Sequence, residues 1–307
     1  MTQSVALRVP RARPLRLRGW RWAVEGYFFI VPTALLLVTL LIYPLFYSVQ
    51  TSLSTFSTTT FQPTGFVGLK NYERILHDAN FWSSLKVTAL YLLVALPLQM
   101  VVGVAIAFIL SIDWTGNKLV RALFIIPMVV TPVVGGSVWK MMLDPLWGYL
   151  NYLWSLVGGT PIAWLSDPKL ALFSIILIDT WRSAPFVILI VLAGIVSLDQ
   201  EPLESAWVDG ASRWQRLIYV EIPMLQEVIL SAFIVRWLTA IKMFDVIFVT
   251  TRGGPGNTTE VANLFVYDSA FRLLSFENSS TMSVLIVLAV LLFTLIFIKL
   301  SGSSFGR

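Results

Sequence analysis

Four strong charges fall where water is scarce. Arg182, Arg236, Lys242 and Asp245 lie inside long blocks of apolar residues. A charge carried at membrane depth usually faces a packed interior or a watery path, and it marks the route of a polar solute, an ion or a proton. Two readings of these four stay open. Asp179 and Arg182, and likewise Lys242 and Asp245, stand three residues apart, within reach of each other on one helix face. Alternatively the charges line a cavity, with pairing as part of it. Lys242 and Asp245 follow Arg236 by six and nine residues, about 9–14 Å along a helix.

Other chemistry finds little support. The chain has no cysteine, and its one histidine, His77, sits in a polar stretch between apolar blocks. Disulfides, Cys/His zinc sites and thiol nucleophiles are thereby excluded. No Gly-x-x-x-x-Gly-Lys-[Ser/Thr] phosphate loop is present: Gly158-Gly159-Thr160 and Gly253-Gly254-Pro255-Gly256 both lack the lysine. No catalytic residue, metal site or bound cofactor is expected of this chain. A membrane-embedded transferase, one rival reading, needs acid–base or metal groups at an interface, and few are on offer.

The elements that hold the charges are long and apolar. Of 307 residues, 57% are hydrophobic and 13% charged, against about 25% charged in an average soluble domain; the mean hydropathy is +0.78. Six blocks, at 24–48, 84–111, 119–143, 169–196, 226–250 and 281–300, reach the roughly 20 residues that cross a bilayer as helix. The expected fold is therefore all-α, a polytopic membrane protein of six transmembrane helices. Pro97 and Gly103, then Pro127, Pro132, Gly135 and Gly136, and then Pro185 interrupt these blocks. Such residues are tolerated where neighbouring helices or a cavity satisfy the freed backbone groups.

Charge sets the expected orientation. Six arginines, Arg8, Arg11, Arg13, Arg16, Arg18 and Arg21, crowd before the first block. They hold that end in the cytoplasm and do not call for nucleic acid. The apolar run from Ala23 to Tyr47 is too long for the h-region of a signal peptide, so it reads as an uncleaved anchor. With both termini inside, cytoplasmic segments hold that tail, Lys118, Arg121, Arg213, Arg216, Lys299 and Arg307, twelve of the 22 basic residues. The outer loops hold fewer, in keeping with the positive-inside rule. The expected organisation is a basic tail at 1–22, a first span with its outer loop at 23–83, a transmembrane core at 84–300 with a cytoplasmic loop at 197–225, and a cytoplasmic tail at 301–307.

The loop at 197–225 is the most informative stretch. Pro202, preceded by acidic residues, suits a helix start. Leu203, Trp207, Gly210/Ala211, Trp214 and Ile218 recur at helical spacing, with Gly210 bending the stripe and Pro223 closing the segment. A water-exposed stripe of this kind fits a partner's groove or the lipid surface. The residues resemble the EAA motif of ABC-importer permeases: Glu204-Ser205-Ala206 stands for Glu-Ala-Ala, Gly210 falls at the motif glycine, and Val220-Glu221-Ile222-Pro223 matches its ending. Ser205 for Ala and Ile222 for Leu are mild departures. The resemblance implies that Glu204, Ser205, Ala206, Asp209, Gly210, Ala211 and Pro223 form a coupling helix that docks on a separate ATPase subunit.

Three further segments resemble MalF-type carbohydrate permeases: Gly68-Leu69-Lys70-Asn71-Tyr72, Trp181-Arg182-Ser183-Ala184-Pro185-Phe186, and Phe244-Asp245 followed by the outer Gly253-Gly254-Pro255. The likeness covers residues 24–300 and implies a type I ABC-importer permease fold in the bacterial inner membrane. It implies as partners a second MalG-like permease, a MalK-like ATPase homodimer carrying ATP and Mg, and an extracytoplasmic solute-binding protein. The implied cargo is a sugar or polyol, with glycerol phosphate or another anionic sugar derivative as the alternative. Trp181, Trp237 and Phe244 would offer ring faces to a sugar, beside Arg182, Arg236, Lys242 and Asp245 for its hydroxyls; ordinary packing aromatics fit the same three positions.

Overall fold

The computed structural model describes residues 21–302. The basic tail up to residue 20 and the segment 303–307, including Arg307, lie outside the described residues. The chain divides into two compact units at Gln50 and Thr51. In the first, α1 (Arg21–Leu37) passes through a π-helical turn (Val38–Ile42) into α2 (Tyr43–Ser52). The turn has a local cause. Pro44 has no N–H, and its ring would strike the carbonyl four residues back. A wider turn, in which the Tyr43 N–H donates to Val38 O, relieves the clash without ending the helix. Within the apolar span of Ile30–Ser52 only Thr51 and Ser52, at its end, are buried by the rest of the chain.

The second unit opens with an antiparallel hairpin of β1 (Ser54–Ser57) and β2 (Gln62–Phe66), bulged between Thr55 and Phe56. This hairpin is an addition to the all-helical expectation. It leads into α3 (Lys70–Leu76). The buried Asn71 side chain there donates to Ser52 O (3.0 Å) and Ser54 O (2.9 Å), which accounts for the asparagine of the Gly-Leu-Lys-Asn-Tyr segment. Then come α4 (Ala79–Ser111), α5 (Asn117–Val129), α6 (Pro132–Met142), α7 (Tyr149–Leu156) and α8 (Ala171–Val196). The loop expected at 197–225 forms α9 (Gln200–Val208), α10 (Arg213–Arg216), a π turn at Leu217–Glu221 and α11 (Ile222–Met224). The chain ends with α12 (Gln226–Ala240), α13 (Asp245–Thr250), α14 (Ala262–Phe271) and α15 (Phe276–Gly302).

Contacts give the direction of each helix. Tyr91 meets Asp179, and Gly103 lies against Ala184 and Val187, so α4 and α8 run parallel. Parallel neighbours require the chain between them to recross the layer. The α5–α6 pair does so as one broken span, bent by 101°. The block expected as a single helix at 119–143 is therefore two helices. Pro132 opens the second, and Val130 and Thr131 before it are extended (ψ 128° and 144°), as the residue before a proline prefers. Gly194 packs on Leu225 and Val228 while Arg236 returns beside Asp179, so α12 runs antiparallel to α8. Phe233 meets Phe297, and Trp237 reaches Thr294, so α15 runs back to the end that carries the 197–225 loop.

Two further limits differ from expectation. The fifth block, expected as one helix at 226–250, stops at Ala240; it resumes as α13 only at Asp245. It also joins the preceding helical run at a 64° bend. The second block begins at Ala79, where Asp78 caps the helix by accepting from the Asn80 N–H at 2.8 Å. Its 33 residues reach about 50 Å, more than the ~30 Å hydrocarbon layer.

Close approach of α4 and α8 depends on Gly103, where a Cβ would come within 2.5 Å of Val187 Cβ. Gly103→Ala is expected to destabilise the subunit by about 1–3 kcal/mol through overpacking. Combining it with Val187→Ala should recover part of that loss, a non-additivity measurable by thermal unfolding of both single variants and the double.

Candidate functional site

The buried carboxylate of Asp179 gathers three helices. On Oδ2 it accepts from Tyr91 Oη (2.6 Å) and Gln99 Nε2 (2.8 Å), both on α4. On Oδ1 it accepts from Arg182 Nη2 (2.8 Å) and Ser183 Oγ (3.1 Å), its own neighbours on α8. From α12, Arg236 Nη2 approaches Oδ2 at 3.4 Å. Arg236 also places Nε and Nη2 on Gln99 Oε1 (3.0 and 2.7 Å) and Nη1 on Thr239 Oγ1 (2.9 Å). The Gln99 amide thus stands between an anion and a cation, and only one of its two orientations serves both. Tyr91 and Gln99 are fully buried, Asp179 is 1% exposed and Arg236 5%.

Beside this network lies a cavity of about 230 Å³. Arg182, Arg236, Thr239, Lys242, Phe244 and Asp245 line it. The pairing of Asp179 with Arg182 is present. Lys242 and Asp245 form no ion pair among the described residues, because Lys242 is not on a helix. The turn that follows Ala240 takes it out of register with Asp245, and Asn263 Nδ2 donates to the carbonyl of Ile241 freed there (2.8 Å). The Nε of Arg182 is buried without a hydrogen-bond partner.

Of the expected pathway residues, Arg182, Arg236, Lys242, Phe244 and Asp245 come together around this cavity, while Trp181 and Trp237 do not. Trp181 turns to Trp139 (centroids 5.6 Å apart) and an apolar groove with Phe124 and Pro127. Trp237 stacks on Phe293 (4.1 Å) and donates to Thr294 Oγ1 (3.2 Å). Trp181 stays exposed along that groove and Trp237 is half-buried. Tyr91, Gln99 and Thr239 were absent from the expected set. Gln99, an amide inside an apolar block, carried the one visible signal.

At one end of the bundle the 197–225 loop is two helices, and the expected single stripe is broken between them. The Gly210 N–H donates to Trp207 O (3.1 Å) and the Ala211 N–H to Ala206 O (3.0 Å), while Gly210 takes φ +77°. That is a Schellman end, closing α9. Ser212 then starts α10 with a capping box: its Oγ accepts from the Gln215 N–H, and Gln215 Oε1 accepts from the Ser212 N–H. Glu204, Ser205, Asp209 and Gly210 are exposed, as are Trp207, Trp214 and Tyr219; Ala206 and Ala211 are half-buried. Arg216 pairs with Glu221 (2.8 Å) and covers the Trp207 ring at 5.9 Å. Pro223 is exposed in α11, and the π turn ahead of it repeats the relief seen at Pro44. A groove of about 390 Å³ runs between Leu203, Glu204, Trp207 and Arg216.

At the other end, Gly253, Gly254 and Pro255 form a tight turn after α13. Gly253 has φ +86°, the Gly254–Pro255 peptide is cis, and the buried Thr259 donates its Oγ1 to Gly254 O (2.8 Å) and its N–H to Gly253 O (3.1 Å). Burial, with the Asp268 carboxylate second, raises the Glu260 carboxyl above its usual range.

Residues 99–302 match the model of a family described as binding-protein-dependent transport system inner membrane component. The trehalose/maltose transport system permease protein MalF of Thermococcus litoralis is 34% identical over 281 residues, covering 91% of this chain and 94% of that one. The trehalose transport system permease protein SugA of Mycobacterium tuberculosis is 34% identical over 279 residues, covering 91% and 89%. A chain in the crystal structure of a bacterial alginate ABC transporter, in complex with alginate pentasaccharide-bound periplasmic protein, shares the fold with a TM-score of 0.78. That match is at 18% identity and covers 90% of this chain and 92% of that one.

Two predictions follow from the geometry. Arg236→Ala should leave the Asp179 and Gln99 groups short of a partner and destabilise the subunit by about 3–5 kcal/mol, whereas replacing Asp179, Gln99 and Arg236 together with apolar residues should cost less; thermal unfolding in detergent compares the two. For Glu260, a raised folded pKa means that stability is fully present below the ordinary carboxylate range and is lost as pH rises through the folded value. Amide exchange protection in residues 251–261 should therefore fall as pH rises out of the ordinary carboxylate range in the parent protein, and fall less in Glu260→Gln.

Proposed function

The chain belongs to the family of binding-protein-dependent transport system inner membrane components, and on that premise we propose that it forms half of the translocation pathway of an ATP-driven sugar importer. It is a transport component and not an enzyme. The ATPase and solute-binding functions reside on partners: in this reading, a MalK-like ATPase homodimer that binds ATP and Mg, an extracytoplasmic binding protein, and a second MalG-like permease that completes the pathway. The termini and the 197–225 loop face the cytoplasm.

The observation that carries the reading is a connection. The loop that exposes Trp207, Trp214 and Tyr219 joins α8 to α12. Those two helices bring Asp179, Arg182 and Arg236 to the cavity. A partner that grips Glu204 to Ala211 and moves them therefore acts on both walls through the chain that joins them, with Arg236 about 16 Å along α12 from the bend at Leu225. Binding and hydrolysis of ATP move the loop between two positions, and the cavity turns outward to receive solute and inward to release it. Lys242, with donors only, and Asp245, with acceptors, leave opposite hydrogen-bonding characters facing a hydroxyl-rich solute. An anionic sugar derivative is the second reading, favoured by three cations (Arg182, Arg236, Lys242) against two carboxylates (Asp179, Asp245) at the cavity.

Gly210 isolates the coupling step. Nothing lies within 4 Å of a Cβ there, so a substitution meets only the backbone requirement of φ +77°. Asparagine tolerates that region; a β-branched residue does not. Purified complex with its binding protein in nanodiscs should show ATPase activity stimulated by one class among neutral sugars, polyols, glycerol phosphate and uronates. Gly210→Asn should retain most of that stimulation and Gly210→Val should lose at least about 5-fold, the equivalent of 1 kcal/mol or more. Stimulation by no solute, or equal behaviour of the two variants, defeats the reading.

A further inference from the structure

The stretch 145–166, between α6 and α8, holds three tryptophans and two tyrosines and not one charged residue. It lies at the end of the bundle opposite the 197–225 loop. The other connections are charged: 197–225 includes Asp199, Glu201, Glu204, Asp209, Arg213, Arg216 and Glu221, and 251–275 includes Arg252, Glu260, Asp268 and Arg272. A segment facing bulk water has no reason to differ so sharply from its neighbours.

The segment is built around two inward-facing polar groups, Asp144 and Asn151, while Ser155, Thr160 and Ser166 are exposed. Asp144 Oδ1 accepts from the Leu146 and Trp147 N–H groups (2.9 and 3.0 Å), and the Gly148 N–H donates to Asp144 O (3.0 Å). Asn151, 4% exposed, takes both ends of the segment in hand. Its Nδ2 donates to Asp144 O (3.2 Å) and Ile162 O (2.9 Å), and its Oδ1 accepts from the Ile162 N–H and Trp164 Nε1 (both 3.1 Å). What this frame holds outward is apolar or amphipathic. Leu146 is 84% exposed, Trp147 89%, Val157 75%, and Tyr149 and Tyr152 are 58% and 59%.

We propose that 145–166 is an interfacial anchor, seated in the headgroup–acyl boundary on the side away from the ATPase-docking loop, with Leu146 and Trp147 inserted among the lipid chains. Three observations select lipid as the occupant. Tryptophan and tyrosine suit that boundary, where one end of the ring is apolar and the other wet. No charge stands among the exposed rings: Asp144, Asp167 and Lys169 lie only where the segment joins its helices, as a surface sunk among acyl chains requires. The surface is also continuous with the exposed apolar face of α6, where Val134, Val138 and Met141 follow at helical spacing. The anchor has a lever to hold. α6 packs on α13 at Gly136, where a Cβ would come within 2.6 Å of Val249, and Pro132 at its start lines the cavity. The inference rests on the family's membrane placement and not on the identity of the solute.

The cysteine-free sequence makes the test direct. Leu146→Cys, Tyr152→Cys and, as a water-facing reference, His77→Cys are nitroxide-labelled. Each is measured in the assembled complex, with cysteine-free partners, in nanodiscs of phosphatidylethanolamine and phosphatidylglycerol. Power saturation then compares collision with oxygen and with a nickel chelate. At 146 and 152 oxygen should be favoured several-fold over the chelate, the reverse of residue 77, and saturating binding protein should change neither. Preference for the chelate places the segment in water; protection from both reagents gives it to another subunit; a change on adding the binding protein makes it a docking surface. Any of these overturns the proposal. Solute-stimulated ATPase of the labelled complexes shows that assembly is intact, and so separates failure here from failure of the importer reading.

Discussion

A carboxylate with 1% of its surface exposed, inside an apolar bundle, constrains everything around it. Asp179 cannot remain ionised there without donors, and an isolated buried charge costs several kcal/mol. Five side chains answer, from α4, α8 and α12. Because each donor must sit within hydrogen-bonding distance, the network fixes the axial register of three helices to within a fraction of a turn. Apolar packing alone would tolerate sliding. The close contact of Gly103 with Val187, about a dozen residues along α4 from Tyr91, is the second point on the same line, and two points define a parallel pair. From parallel α4 and α8 the broken span between them follows by topology.

The same bundle loosens its helices at chosen places, and each has a local cause. Pro44 and Pro223 are both preceded by π turns that let the helix continue past a missing N–H. Pro132 instead ends one helix and starts another. After Ala240 the helix stops without a proline; Asn263 from α14 accepts the burden by donating to the released Ile241 carbonyl. Backbone polarity within a membrane must be satisfied inside the protein, so this break is possible only where a neighbour supplies the donor. The cavity sits at that break, which is why Lys242 and Asp245 can face it unpaired.

Long apolar blocks and a motif at fixed spacing were legible in the sequence because both are one-dimensional. The long apolar helices, up to six crossings if each bent pair is one span, the charged residues near the cavity and the Glu204–Pro223 loop all belong to that class. Where they failed, the deciding partner lay far along the chain. Gln99 gains its meaning from Asp179 and Arg236, 80 and 137 residues away. Trp181 and Trp237 neighbour the charges in sequence, yet helical rotation points them at Trp139 and Phe293. The expected Lys242–Asp245 pairing assumed an unbroken helix, and the donor that stabilises the break, Asn263, comes from α14. Pro132 was visible, but a proline in a span signals either a kink or a new start; the extended Val130 and Thr131 decide for the second.

Coupling requires that a displacement at the loop be neither absorbed nor spread. Between Trp207 and the cavity regular helix is interrupted three times, by the Schellman end at Gly210, the π turn at Leu217–Glu221 and the bend at Leu225. Each is restrained: the first by a capping box on its far side, the second by the Arg216–Glu221 ion pair, the third by Gly194, Val228 and a fully buried Leu225 side chain. Beyond Leu225, α12 is uninterrupted helix to Ala240, and it carries Arg236 into the carboxylate network. A shift that moves Arg236 relative to Gln99 must break a fork with contacts of 3.0 and 2.7 Å or carry α4 along with it. Buried charge-assisted bonds break over short distances, unlike the gradual slip of apolar side chains. A network held by such bonds favours discrete over graded displacement, which suits the loop-driven switch proposed above.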